Sequence, residues 1–255
     1  MLTSTPAGKN GEFYKLWENA QNDKAWYTQT TTIEDAINDG LEVDLESLHS
    51  LCPDPQAFAQ EYMCVFASEY NAMLDPALLE SYDALPQGTS GHWLGIDVGR
   101  THDKTAIVQA TGLNGTMYVE EITVLDKVEY SKQLEAVASL DKSKHFTGGY
   151  VDSGGIGSML AEYVNKQVSS RIKPLSFTGA NKTPMHESLR DLVFRQKVKF
   201  ARHIIERVKQ DIQQVSRVVT ASGEVRYQAG HNETGHADIT SALVLCTKAF
   251  KTMPI

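Results

Sequence analysis

An aspartate interrupts the apolar run Trp93-Leu94-Gly95-Ile96-Asp97-Val98-Gly99. Such a run reads as a buried strand, and an isolated carboxylate inside one is costly unless it meets a cation or a partner. Two other segments carry an aspartate at a comparable place. Gly149-Tyr150-Val151-Asp152 ends on one and continues as Ser153-Gly154-Gly155. Asp238 follows His236-Ala237 and opens a stretch whose apolar residues Ile239, Ala242, Leu243 and Cys246 recur at helical spacing. Two strand ends and one helix start, each bearing a carboxylate, imply a single shared cation site.

The chain has 255 residues, enough for one large domain or one domain with an appendage. No run of about 18 apolar residues exists, so no membrane span is expected. The start, Met1-Leu2-Thr3-Ser4-Thr5-Pro6, lacks the basic-then-apolar pattern of a secretory signal. Cys52, Cys64 and Cys246 have no CxxC spacing and read as small hydrophobes in a reducing, cytoplasmic setting. The net charge of −8 disfavours a polyanionic partner until its distribution is examined. Residues 31–90 hold twelve Asp and Glu with no Lys or Arg, whereas residues 91–255 hold 21 Lys and Arg against 17 Asp and Glu, a balance of +4. Between Arg171 and Lys209 lie ten basic residues and only three acidic ones. A basic region beside a carboxylate cluster suits a phosphodiester substrate, although a solvated helix face has the same composition.

The charge changes sign near Leu85-Pro86-Gln87-Gly88-Thr89-Ser90-Gly91, which reads as a linker. Residues 1–88 are expected to form an acidic, mainly helical segment, with a helix over 54–67 carrying Phe58, Tyr62 and Phe66 on one face. Residues 89–255 read as strands at 92–98, 105–111 and 116–124, joined as antiparallel neighbours, the last two through Gly112-Leu113-Asn114-Gly115. Helices and strands then alternate: a helix at 130–141, a strand at 148–152, a helix at 155–167, a strand at 172–177, and helices at 183–196, 203–215 and 237–250. That order predicts an α/β fold with a mixed sheet and helices on both faces, the RNase H-like architecture.

Phosphodiester hydrolysis is slowed by the charge on phosphate and by the weakness of water as a nucleophile. Two divalent ions about 3.5–4 Å apart answer both. Hard ions such as Mg²⁺ or Mn²⁺ take carboxylate oxygens. Asp97 is the natural bridge between two ions, with Asp152 holding one and Asp238 the other. Asp152 also suits a helix cap, and Asp238 a helix N-terminus, so neither is diagnostic alone. Asp103 lies six residues beyond Asp97 and either assists a metal or shapes a turn. His236 is an auxiliary candidate or an ordinary loop histidine. Lys182, Arg190, Arg195, Lys197 and Lys199 are expected to contact DNA phosphates without reading bases.

These residues resemble the nuclease motifs of the large terminase subunit of tailed bacteriophages. The likeness runs through Gly95-Ile96-Asp97-Val98-Gly99 with Asp103, Tyr150-Val151-Asp152-Ser153-Gly154-Gly155-Ile156-Gly157, and His236-Ala237-Asp238, and spans about 91–250. Residues 2–14 resemble the coupling motif late in the terminase ATPase domain, and Glu61-Tyr62-Met63-Cys64-Val65-Phe66 the segment leading to the nuclease. The resemblance implies a Mg²⁺- or Mn²⁺-dependent endonuclease that cuts double-stranded DNA during genome packaging in the host bacterial cytoplasm. It implies the portal and the small terminase subunit as partners. No GxxxxGK[ST] phosphate loop is found, so residues 1–88 read as the remnant of an ATPase domain and the chain as a fragment or truncated product. Two other readings stay open. An actin-like sugar kinase or ATPase also begins phosphate loops with Asp-x-Gly, as in Asp97-Val98-Gly99. A non-catalytic module of the packaging motor is the other.

Overall fold

The structure, a computed structural model, describes residues 2–6, 12–52, 54–66, 70–99, 104–177, 179–220, 224–229 and 237–252. The chain divides into two units, residues 1–71 with 217–228 and residues 72–216 with 229–255.

The first unit is built on short helices: α1 (Glu12–Gln21), α2 (Ile33–Asn38), α3 (Leu45–Leu51) and α4 (Pro55–Glu61). Much of its acidity serves to start them. Thr32 and Asp35 form a reciprocal capping box, while Asp44 accepts from the N–H groups of Glu46 and Ser47 and Asp54 from that of Gln56. Each satisfies backbone donors that a helix start leaves open. The helix expected over 54–67 stops at Glu61. Cys64 takes a left-handed backbone (φ 57°) and its thiol donates to the Thr31 carbonyl, which turns the chain out of the helix. Phe58 and Tyr62 still pack together, at 4.9 Å between ring centroids, but Phe66 packs instead on Phe13 and Tyr14.

The second unit carries the large sheet. After β1 (Tyr70–Ala72) come β2 (Glu80–Tyr82), β3 (Ser90–Asp97), β4 (Lys104–Leu113), β5 (Thr116–Asp126), α5 (Tyr130–Lys144), β6 (Gly148–Asp152) and α6 (Ser158–Tyr163). Then follow β7 (Ile172–Leu175), α7 (Lys182–Phe194), β8 (Val198–Ala201), α8 (Ile205–Ile212), β9 (Val215–Val219), β10 (Val225–Ala229) and α9 (Asp238–Thr252). Strands β1, β9 and β10, which fall mostly in the first unit, make a small sheet in the order β1-β9-β10, and the other seven pair in the second unit in the order β2-β8-β5-β4-β3-β6-β7. All seven run the same way except β4. The β4–β5 turn has positive φ at both Asn114 and Gly115, the geometry that a tight hairpin demands. The mixed sheet with helices on both faces is the RNase H-like arrangement expected from the sequence.

Side chains alternate between the two faces of the sheet, and because both faces are covered, β3 and β4 are buried at consecutive positions. Leu94 and Ile96 of β3, Ile107 of β4, Val151 of β6 and Ile172 of β7 pack with Val137, Phe146, Leu160, Ala161 and Val164 from the α5–α6 side. The opposite face of β3 is covered by α9, whose Phe250 meets Trp93 edge-on at 5.0 Å, and α7 and α8 pack beside α9.

Three elements differ from the sequence expectation. Strand β8 falls within the basic region, where Val198, Phe200 and Ala201 are buried next to β5. This makes β5 an interior strand, and its Glu120 is mostly buried and paired with Lys144 at 2.8 Å. The single helix expected over 155–167 is instead a 3-10 turn (Gly155–Gly157), α6, and a π turn over Val164–Val168, closed by the Ser169 N–H on the Val164 carbonyl. The stretch 85–91 connects β2 to β3 inside the second unit, because β2 already belongs to the large sheet through β8.

Candidate active site

Asp97 is the last residue of β3, and alternation places it on the face shared by Trp93 and Gly95. That face is where α9 lies. A Cβ on Gly95 would stand 2.0 Å from the Ala242 carbonyl oxygen and 2.3 Å from the Cys246 nitrogen, so the helix backbone rests on the glycine. The Cys246 thiol donates to the Trp93 carbonyl. Following α9 from Cys246 back through Ala242 towards its first residue, while β3 advances from Gly95 to Asp97, brings Asp238 to Asp97.

Asp152 ends β6, the parallel neighbour of β3. Its Oδ1 accepts the N–H of Gly154 at 2.8 Å and that of Phe177 at 3.1 Å, and the Ser153 N–H bonds to the Leu175 carbonyl at 3.0 Å. One carboxylate oxygen is thus fixed by two backbone donors. The chain after Asp97 is held as firmly by a buried polar set. The Thr105 hydroxyl accepts the Gly99 N–H and donates to Gln133 Oε1, each at 2.9 Å. The Gln133 amide donates to the carbonyls of Gly99 (3.2 Å) and Val128 (2.7 Å). Buried polar groups are tolerated when satisfied in this way, and they make the local geometry specific.

The carboxylates converge electrostatically. Asp97 retains some exposed surface at the strand end, yet loss of solvent around its carboxyl is the main cause that pushes its pKa well above the ordinary value. The negative charges of Asp238, Asp152 and Asp211 push in the same direction, and Lys182 opposes them. Like charges gathered on one side of a partly dry site repel, and a divalent cation relieves that repulsion. Among the described residues, no three His, Cys, Asp or Glu side chains are arranged as a ready chelating group. The fit to hard cations therefore rests on the chemistry of the donors: carboxylates only, converging at the ends of adjacent parallel strands and a helix start.

Asp103 and His236 lie outside the described residues. The five basic residues do not form one patch. Lys182 opens α7 beside the aspartates, its ammonium 5.7 Å from the centre of the Phe177 ring. Lys197 precedes β8, and because β8 runs in the same direction as β3 it lies at the opposite end of the sheet from Asp97. Arg195 is exposed and paired with Asp191 at 2.6 Å, and Lys199 is paired with Glu80 at 2.9 Å.

Arg190, expected to contact phosphate, is instead buried at 1% exposure. It bonds to the Met73 carbonyl, lies 3.3 Å from Glu187 and stacks on Phe194. Residues Met185, His186, Leu189 and Val193 bury the same stripe of α7, and Arg190 falls on it. Its role is to tie the segment before β2 to that helix. Replacing Arg190 with Ala is expected to cost about 3 kcal/mol in urea unfolding, since the Met73 carbonyl loses a buried charge-assisted bond and the buried side chain leaves a void, with the half-exposed Glu187 adding little. A loss below about 1 kcal/mol would contradict this assignment.

Sequence reasoning missed Thr105, Gln133, Asp211 and Thr240. Gln133 carries a weak signal, being a polar residue on the stripe of α5 that also buries Val137. Asp211 carries none, since its partners lie 28 and 29 residues further along.

Residues 94–249 match the family model described as the terminase RNaseH-like domain. Comparison with curated protein sequences gave no match. Among solved structures, the large terminase nuclease of thermophilic phage G20c with bound magnesium is similar at a TM-score of 0.56 and 18% identity, over 71% of this chain and 98% of that one. The same nuclease with bound cobalt gives 0.55 and 19%, over 70% and 97%. The large terminase of a second thermophilic bacteriophage gives 0.64 and 14%, over 94% of this chain and 59% of that one. At these identities the structures speak for the fold. Among the described residues, no helix is long and apolar enough to cross a membrane.

Proposed function

The chain belongs to the terminase RNaseH-like domain family, and from that premise we propose that it is a metal-dependent endonuclease cutting double-stranded DNA during phage genome packaging. The observation that carries the reading is the convergence of three carboxylates from three elements: Asp97 ends β3, Asp152 ends the neighbouring parallel strand, and Asp238 heads the helix that rests on Gly95. The fold family contains a nuclease solved with bound magnesium and with bound cobalt, which supports a divalent ion here. We propose two ions, Mg²⁺ or Mn²⁺, held by Asp97, Asp152 and Asp238, with Asp103 a further ligand and His236 an auxiliary group. When bound, such ions supply a water nucleophile at neutral pH and neutralise charge on the departing oxygen.

The protein's own part is positional. Asp97 is held on a rigid strand end, Asp152 is oriented by two backbone N–H groups, and Asp238 is carried by the helix seated on Gly95. The walls of this arrangement keep the carboxylates fixed as charge builds on phosphate, so little reorganisation is needed. Residues 1–88 are proposed to derive from an ATPase domain, and the portal and small terminase subunit to be partners in the host cytoplasm. Translocation driven by ATP is not assigned to this chain. The direct test is plasmid cleavage with Mg²⁺ or Mn²⁺ by the protein and by its Asp97, Asp152 and Asp238 variants. Full cleavage by the Asp152→Asn or Asp238→Asn variant would remove that residue from the site.

Lys182 is proposed as the phosphate contact nearest the cut, because its charge already reaches Asp97 and its ammonium lies over the Phe177 ring. Changing Lys182 to Gln is expected to weaken DNA binding several-fold and to reduce the slope of log affinity against log salt by about one. The same change at Arg190 should leave that slope unaltered in molecules that remain folded. Filter binding across a salt series checks both; an unchanged slope for Lys182→Gln would rule out the contact.

A further inference from the structure

Asp238 heads α9, and the residue before it cannot cap that helix. Ala237 has no side-chain acceptor, is buried and adopts a left-handed backbone with φ 60°. The first amides of a helix need acceptors from elsewhere. They come from Asp211, on the last turn of α8. Its Oδ1 accepts the Thr240 N–H at 2.7 Å and the Thr240 hydroxyl at 2.6 Å, and its Oδ2 lies 3.4 Å from the Ile239 nitrogen. The two amides so held belong to the residues immediately after Asp238. Between α8 and α9 the chain passes through β9 and β10, so the cap joins residues 28 and 29 positions apart in sequence.

We propose that Asp211 is a positioning residue of the nuclease site, acting as an N-cap in trans that sets the rotation of the first turn of α9 and so presents the Asp238 carboxylate to Asp97. The role rests on the endonuclease reading. A helix rotated or frayed by one residue would turn Asp238 by about 100° around the axis, away from Asp97. Asp211 acts through hydrogen-bond acceptance, and a carboxamide oxygen can take over both Thr240 bonds of Oδ1, though the carboxamide nitrogen cannot replace Oδ2 at Ile239. A metal ligand would need the negative charge. That difference separates the two roles.

The experiment is Mn²⁺ titration calorimetry on the full chain with Asp211→Asn, Asp211→Ala and Asp97→Asn, with amide hydrogen exchange at Ile239 and Thr240. Asp211→Asn is expected to bind Mn²⁺ within about twofold of the unaltered protein and to keep the Thr240 amide protected, while Ile239, left facing the carboxamide nitrogen, exchanges faster. Asp211→Ala is expected to bind about tenfold more weakly or worse and to exchange both amides faster. If Asp211→Asn loses Mn²⁺ as fully as Asp97→Asn, Asp211 is a ligand and the positioning role is wrong. If Asp211→Ala exchanges faster but binds Mn²⁺ normally, the cap is structural alone and the proposal is also wrong. Should Asp211→Ala not fold, the Asn variant decides between retention and loss. Unchanged Mn²⁺ affinity in Asp97→Asn overturns the metal-site reading itself, whatever Asp211 does to exchange.

Discussion

Asp97→Asn is expected to lower DNA cleavage by more than about a hundredfold and, in the absence of metal, to raise thermal stability at neutral pH. The first effect follows from the place of Asp97 between the other two carboxylates, since even groups that only orient a metal ligand cost about 10–100-fold when removed. The second follows from the repulsion the site holds. The folded carboxyl has its pKa raised well above the ordinary 3.8, chiefly by desolvation and then by Asp238, Asp152 and Asp211. Over the pH range between the ordinary and the raised value, the folded protein holds a proton that the unfolded chain has released. Stability from this group is therefore present below about pH 3.8 and is lost as pH climbs through the folded pKa. Asparagine has no charge to lose and no such slope. Melting curves in chelator from about pH 3 to 8 should thus show the variant gaining on the unaltered protein as pH rises, with no gap at the acid end. Adding Mn²⁺ should reverse the order, because only the unaltered protein gains from binding. A variant less stable than the parent at neutral pH in chelator would mean that Asp97 has a partner in the apo protein and that the charges are not in conflict.

In the sequence only Asp97 breaks the rule of its own segment; Asp152 and Asp238 also suit ordinary cap and helix-start roles and stand out only beside it. A carboxylate ends each of two apolar strands, and another begins a helix whose apolar positions are complete. The order of strands around β3, β4 and β5 was legible because the hairpin at Asn114-Gly115 admits few alternatives. Strand β8 was not. Lys197-Val198-Lys199-Phe200-Ala201 alternates over only a few residues, and its lysines read as part of a basic cluster until Val198 and Phe200 are seen buried. Along the chain Arg190 belongs to a basic run, whereas around the helix it falls on the stripe of Met185, His186, Leu189 and Val193. The trans cap had no signal at all, because hydrogen bonds from Ile239 and Thr240 to Asp211 depend on how α8 and α9 pack. Asp97-Val98-Gly99 alone also suited an actin-like phosphate loop; the family that matches residues 94–249 is the terminase one.

Gly95→Ala is expected to be the most damaging single methyl in the second unit, costing about 4 kcal/mol or more in urea unfolding. The added carbon would stand 2.0 Å from the Ala242 carbonyl oxygen, 2.3 Å from the Cys246 nitrogen and 2.9 Å from the Cys246 Cα. All three are backbone atoms of α9, so no side-chain rotation makes room, and overpacking against backbone is among the costlier core errors. Relief requires lifting α9 from β3, which also opens the contact between Trp93 and Phe250 and uncovers Leu243 and Cys246. Gly112→Ala is the informative contrast. Its added carbon meets the Phe250 ring at 2.7 Å and Trp93 ring carbons at 3.1 and 3.3 Å, side-chain atoms that can shift, so a loss of about 1–2 kcal/mol is expected there. If Gly95→Ala unfolds within about 1 kcal/mol of the parent, α9 does not rest on β3 as closely as these distances imply. Whatever fraction of Gly95→Ala folds should also cleave poorly with an unaltered Asp97, Asp152 and Asp238. The glycine is two residues from Asp97 and lies beneath the helix that Asp238 begins. Separating strand from helix separates those two carboxylates, and restoring stability with an osmolyte should recover the fold without recovering the cut.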